Sequence, residues 1–137
     1  MKLNGVISRK LSVIAREVEA LRALRGVTTA RLKREHFLKR GIERSLQVCI
    51  EAMIDIANRI IALAKHAPAT SGAESLDALE RLGAIRKAVS YADMVKFRNL
   101  VVHRYEAIDD AVLVSIVRRH LGDFEKFAAE IERYADA

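Results

Sequence analysis

The sequence contains no tryptophan, one proline, one cysteine and only six glycines in 137 residues, and aromatic side chains make up 5% of it. Little is therefore available to punctuate a series of short strands, and a β-sandwich or barrel is disfavoured. A single cysteine, Cys49, excludes an internal disulfide and a multi-cysteine metal site, so stability has to come from packing and a reducing compartment is expected. Every apolar stretch is interrupted by Arg, Lys or Glu before it reaches membrane-spanning length, and the first residues show no apolar leader followed by a small-residue cleavage site. The expectation is a cytoplasmic protein without a membrane role. Phosphate-cradling glycine loops are missing as well, because Gly72 and Gly83 are isolated, which argues against a P-loop or dinucleotide fold.

What the sequence does contain is 51% hydrophobic and 31% charged residues, enough to bury the core of one compact unit spanning residues 1–137. Ala, Leu, Ile, Arg and Glu dominate, and all favour helix. The net charge of +6 is unevenly placed: residues 1–44 carry twelve Lys/Arg against four Asp/Glu, whereas residues 45–137 carry twelve against fourteen. Sixteen of the 24 cations are arginines, whose planar fork can grip a phosphate through two parallel hydrogen bonds. Nucleic acid is a plausible partner on this ground, although a basic helical bundle without such a role would look the same.

Hydrophobic periodicity predicts an all-α, up-and-down bundle of about five helices. A 3.6-residue stripe runs through Leu3, Ile7, Leu11, Ile14, Val18, Leu21 and Leu24 to Gly26. Thr28 or Thr29 can cap a long second helix with Ile42, Leu46, Cys49, Ile50, Met53, Ile54, Ala57, Ile60 and Ile61 on one face, and Gly41 marks a potential irregularity near its start. His66 to Ser75, with Pro68 and Gly72, reads as a loop; Ser71 and Glu74 then have capping-box spacing for a short helix that Gly83 ends. In a fourth helix, from about Arg86 to His103, Tyr91, Met94, Val95, Phe97, Leu100, Val101 and Val102 point in nearly every direction. Such a helix either runs through the bundle or is covered by a second copy of the chain. The last helix follows Asp109 and Asp110, which suit its positive end, and carries Leu113, Ile116, Val117, Phe124, Phe127, Ala128 and Ile131 on one side.

Polar groups near the end of that fourth helix call for partners. Arg98, Asn99 and His103, followed by Tyr105 in the string FRNLVVHRY, occupy an otherwise apolar segment. Burying such groups unpaired costs several kcal/mol, so their presence points to a wet cleft or a site. At 100° per residue Asn99 and His103 are about 40° apart, and Arg98 is about 140° from His103. That spread suits a site wrapped round the helix end or completed by a second subunit.

The pattern R-x-x-x-x-H-x-Y, formed by Arg98, His103 and Tyr105, resembles the signature of the HEPN superfamily and, within it, the HepT-like ribonuclease toxins. The stretches ERSLQVCIEAMIDIANRII (Glu43 to Ile61) and MVKFRNLVVHRYEAID (Met94 to Asp109) resemble that family in order and spacing. With 16 Arg, 4 His and 3 Tyr, chance would supply the motif only about 0.01 times per chain of this composition. The resemblance implies a homodimeric helical bundle whose motif helices line a shared basic cleft, and metal-independent cleavage of RNA. It further implies a nucleotidyltransferase-type antitoxin as partner, and Tyr105 as the position at which that partner attaches AMP. A Tyr105 ring simply packed on the bundle is the plainer reading.

In chemical terms, His103 would carry protons near neutral pH. Arg98 would hold the phosphate and its developing charge. Asn99 would orient the imidazole or the phosphate. No cofactor and no metal is implied, since no histidines or carboxylates share a convincing ligand spacing. The alternative is a HEPN module that binds a nucleotide or RNA without cutting it. Asp55 lies in the middle of the second helix; it is more a structural carboxylate than a supporting contact to the motif arginine or to Arg59. His120 falls on the apolar face of the last helix and reads as a core or interface histidine. His66 reads as a helix-end cation, His36 as solvated, and Cys49 as a buried hydrophobe. The cluster Arg31, Lys33, Arg34, Lys39, Arg40 and Arg44 is a solvated face, an extension of an RNA track, or a docking surface for an acidic antitoxin.

Overall fold

The computed structural model describes residues 5–103 and 108–136, and every element among them is helical. In chain order these are α1 (Gly5–Arg22), α2 (Thr29–Arg34), α3 (His36–Leu63), α4 (Gly72–Leu82), a 3-10 turn (Ala88–Tyr91), α5 (Ala92–His103), α6 (Asp110–Ser115), a π-helical turn (Ile116–His120) and α7 (Leu121–Asp136). The 28-residue α3 is the element round which the rest assemble: α1, α2, α4, α5 and α6 all pack on it, and α7 packs on α1. Its inward residues Ile42, Leu46, Cys49, Ile50, Met53, Ala57 and Ile60 come from the predicted stripe and belong to one continuous set of buried side chains with Ile7, Ile14 and Val18 of α1 and Phe124, Phe127 and Ile131 of α7; of the same stripe, Ile61 is buried as well and Ile54 is half-buried.

The caps follow local chemistry. Ser71 Oγ accepts from the Glu74 amide at 3.1 Å, and the Glu74 carboxylate reaches back to the Thr70 amide at 3.0 Å, one residue further out than in a reciprocal capping box. At the other end of α4, Gly83 adopts φ +80°, its amide donates to the Glu80 carbonyl and the Ala84 amide donates to Leu79. This is a Schellman closure, which needs a residue at ease in the left-handed region. Asp109 caps α6 by accepting from the Ala111 amide at 2.8 Å.

Three features depart from expectation. The irregularity in the second helix is at Glu35, not Gly41: the chain breaks there at φ −111°, ψ 82° and starts again as α3. Gly41 sits inside α3 with open space round it, so its freedom is not called upon. The break lets α2 bury Leu32 and pack against α6 while α3 keeps its own line through the core. A π turn inserts one extra residue into the last helix, so Leu121 takes the inward position that simple periodicity assigns to His120. His120 is consequently exposed, 3.4 Å from Asp123, and is not a core histidine. Finally, α5 does not run through the middle of the bundle. It packs on α3 and α4 through Met94, Val95 and Phe97, while Asp93, Lys96, Asn99 and Leu100 are exposed.

Candidate functional site

The helix that carries the motif is fastened at its start. Tyr91, just before α5, is fully buried; its hydroxyl donates to Glu130 Oε2 at 2.9 Å and its ring meets Phe127 edge-on at 5.4 Å. Burial, then the hydrogen bond and charge of Glu130, hold the Tyr91 phenol well above its usual range. One turn on, α4 closes tightly on α5 at Gly72, where an added Cβ would come within 3.2 Å of Val95 and 3.1 Å of Ile54. Beyond the motif, Ile108 is buried, Asp109 caps α6, and Asp110 Oδ1 meets Lys39 Nζ of α3 at 2.7 Å. Anchored points therefore lie on either side of the motif string.

α5 remains helical to His103, so the register counted from the sequence holds: Asn99 lies one turn before His103, and Arg98 about 140° round from it. Arg98 is half-buried. Its Nε is shut off from solvent without a hydrogen-bond partner among the described residues, and its Nη1 has only Asn99 Oδ1, at a long 3.4 Å. A folded protein rarely leaves a guanidinium so poorly served unless the group is kept for a ligand. The His103 side chain and the whole of Tyr105 lie outside the described residues.

Other candidates resolve differently. Asp55 faces α1, where its Oδ2 pairs with Lys10 Nζ at 2.9 Å with both side chains substantially exposed, so the described partner of Asp55 is neither Arg98 nor Arg59. Cys49 is fully buried, and desolvation followed by the charge of Glu17 pushes its thiol up to about 12, the behaviour of a packing residue. His66 is exposed and serves the end of α3 through its amide, which donates to Ile61, next to Lys65 in the left-handed conformation at φ 60°. His36 is exposed too, its ring 5.7 Å from that of Phe37. Among the described residues no group of three or more His, Cys, Asp or Glu is placed to hold a metal ion, and no helix is long and apolar enough to cross a membrane. Alongside α5 runs a groove of about 700 Å³ towards α6 and α7, with Phe97, Leu100 and Ile116 in its wall and Lys96 and His120 at its rim.

Sequence reasoning missed the Lys39–Asp110 bridge, whose partners are 71 positions apart, and the exposure of Phe37. The second had a signal: Phe37 is out of step with the Leu38–Ile42–Leu46 stripe.

Residues 14–131 match the family described as ribonuclease HepT-like. The chain belongs to the HepT-like family. An mRNA nuclease HepT of Shewanella oneidensis is 31% identical to it over 127 residues, spanning 91% of this chain and 95% of that protein. Among solved structures, a tri-AMPylated Shewanella oneidensis HEPN toxin in complex with its MNT antitoxin superposes with a TM-score of 0.85 at 29% identity, covering 96% of this chain and 99% of that one. A toxin–antitoxin complex with AMP-PNP superposes at 0.83 with 29% identity, covering 94% and 99%. The HepT-like assignment accounts for the all-helical bundle and agrees with the resemblance carried by the Arg98 to Tyr105 string.

Proposed function

We propose that the chain is a metal-independent endoribonuclease toxin that acts on RNA in the cytoplasm. In this reading Arg98 and His103 work in a cleft formed where two copies of the chain meet along α5, and a nucleotidyltransferase-type antitoxin neutralises it. The observation that carries the proposal is the half-buried Arg98, poorly partnered among the described residues, on an unbroken helix that runs to His103, in a chain of the HepT-like family. The exposed edge of α5, with Leu100 at 36% exposure, is the surface a second copy would cover.

Cleavage without a metal follows from what these groups can do. His103 takes the proton of the 2′-hydroxyl as its oxygen attacks the adjacent phosphorus. Arg98 stabilises the charge that builds on the non-bridging oxygens, and Asn99 orients the imidazole or the phosphate. The bond to the 5′-oxygen breaks and that oxygen takes up the proton the imidazole has carried, leaving a 2′,3′-cyclic phosphate and a 5′-hydroxyl. Tyr105, two positions after His103, is the residue on which an antitoxin would place AMP, as the AMPylated state of the Shewanella toxin suggests. Such an anionic adduct would compete for the guanidinium of Arg98.

The test is cleavage of a mixed RNA pool by purified protein in excess chelator. Cyclic-phosphate ends are expected for the wild type, with loss of cutting and relief of growth arrest in His103→Ala, whose sedimentation and circular dichroism stay unchanged. Intact RNA with no AMP on Tyr105 would defeat the proposal, and tight binding without cutting would select the non-catalytic binding module instead.

A further inference from the structure

The six basic residues of the cluster from Arg31 to Arg44 separate into two sets in the fold. Arg31 is drawn back by Glu35 at 2.7 Å and by the Arg25 carbonyl, and Lys39 turns inward to Asp110. Lys33, Arg34, Arg40 and Arg44 are exposed and make no ion pair among the described residues. In their midst Phe37 is 86% exposed. Phe37, Arg40, Gly41 and Arg44 have i, i+3, i+4, i+7 spacing and so share one face of α3. That face is uncovered, since a Cβ on Gly41 would meet nothing within 4 Å. Glu43, the only acid between Phe37 and Arg44, lies about 120° away round the helix.

A ring flanked along one face by free guanidiniums has the chemistry of a single-strand platform: the ring takes a base by stacking, which is tolerant of sequence, and the cations take the phosphates on either side. A purely apolar partner would have to strip water from the same cations without replacing it. Position sets the reach that is needed. The Lys39–Asp110 bridge brings the first turns of α3 beside the chain seven residues after His103, and seven residues span at most about 25 Å. Phe37 lies about 160° round α3 from Lys39, so a strand held at Arg98 has to pass round that helix to reach the ring.

We propose that Phe37 stacks a nucleobase of single-stranded RNA, with Arg34, Arg40 and Arg44 on the neighbouring phosphates, as a second binding site outside the cleaved bond. This rests on the nuclease reading and adds a length requirement: strands that reach the platform bind more tightly, and very short ones do not sense it.

The experiment compares Phe37→Ala, Phe37→Trp and the double variant Arg40→Gln/Arg44→Gln with the wild type on a long unstructured RNA and on a trinucleotide. Binding of the long strand is titrated against salt in the His103→Ala background. Phe37→Ala is expected to raise KM for the long strand about tenfold with kcat unchanged, to leave the trinucleotide untouched, and to be rescued by Phe37→Trp. The double variant should lower the slope of log affinity against log salt by about 1.4. Unchanged KM and slope in variants that still cut both substrates would overturn the platform and leave the nuclease reading intact. Equal losses on both substrates would also overturn it, as would a change confined to self-association or to affinity for an acidic protein. If the wild type cuts no RNA yet binds the long strand through Phe37, the nuclease reading falls and the platform stands; if it neither cuts nor binds, both fall.

Discussion

Replacing Arg98 by methionine is expected to stabilise the protein while abolishing cleavage. The Nε of Arg98 is out of contact with solvent and unpartnered among the described residues, and its Nη1 has one long hydrogen bond of 3.4 Å to Asn99. An unsatisfied buried donor costs about 1–3 kcal/mol. Because the rest of the guanidinium still reaches water, about 1 kcal/mol of that is recoverable. Methionine keeps the unbranched stem and its packing while removing the donor and the charge. At ~2.1 cal/mol/K per residue, the unfolding entropy of a 137-residue chain is about 0.3 kcal/mol/K, so the gain corresponds to a rise of about 3 °C in Tm. Thermal scans of wild type and Arg98→Met at equal protein concentration, which holds any contribution from association constant, would read the shift. The same preparations would be assayed for RNA cleavage. A fall in Tm of several degrees would refute the reasoning, because it would mean the guanidinium is held by partners that stabilise the fold rather than kept free for phosphate.

Two further outcomes follow from the interior. Tyr91→Phe removes the 2.9 Å hydrogen bond and leaves the buried Glu130 carboxylate without its hydroxyl donor, so a loss of about 1.5–3 kcal/mol is expected in urea unfolding; a change below a few tenths would show that Glu130 finds another donor. The folded-state thiol of Cys49 is pushed up to about 12, whereas a free thiol in the unfolded chain ionises at about 8.5. Above that lower value the unfolded chain holds fewer protons, so this contribution to stability is complete below about pH 8 and is lost as pH rises towards 12, by up to about 1.4 kcal/mol per unit. Cys49→Ala should flatten the decline between pH 9 and 11, and an unaltered slope would show that the folded thiol ionises freely.

Much of the fold was legible because its signals are local. Ser71, Gly83 and Asp109 cap where they do since a side-chain oxygen or a residue at ease with positive φ satisfies the groups a helix end leaves open. The stripe from Ile42 to Ile61 predicted the central helix because burial on one face imposes the 3.6-residue period. The register of Arg98, Asn99 and His103 was readable for the same reason, α5 being unbroken. Periodicity failed where the helix itself departs from the regular count: the π turn hands the inward position to Leu121 and puts His120 outside, and the break at Glu35 replaces the irregularity expected at Gly41.

The helical class, the order of the main helices, the caps at Ser71, Gly83 and Asp109, and the arginine–histidine–tyrosine string in an otherwise apolar segment were all readable from the chain alone, because each depends on residues within one or two turns of each other. Which charges are paired and which stay available was settled by the packing of the helices. Lys39 goes to Asp110, Asp55 to Lys10 and Tyr91 to Glu130, while among the described residues Arg98 is left poorly partnered and Phe37 stands out among arginines without an ion pair. Pairings of that kind depend on distances between elements far apart in the chain, and those distances are set only when the helices pack.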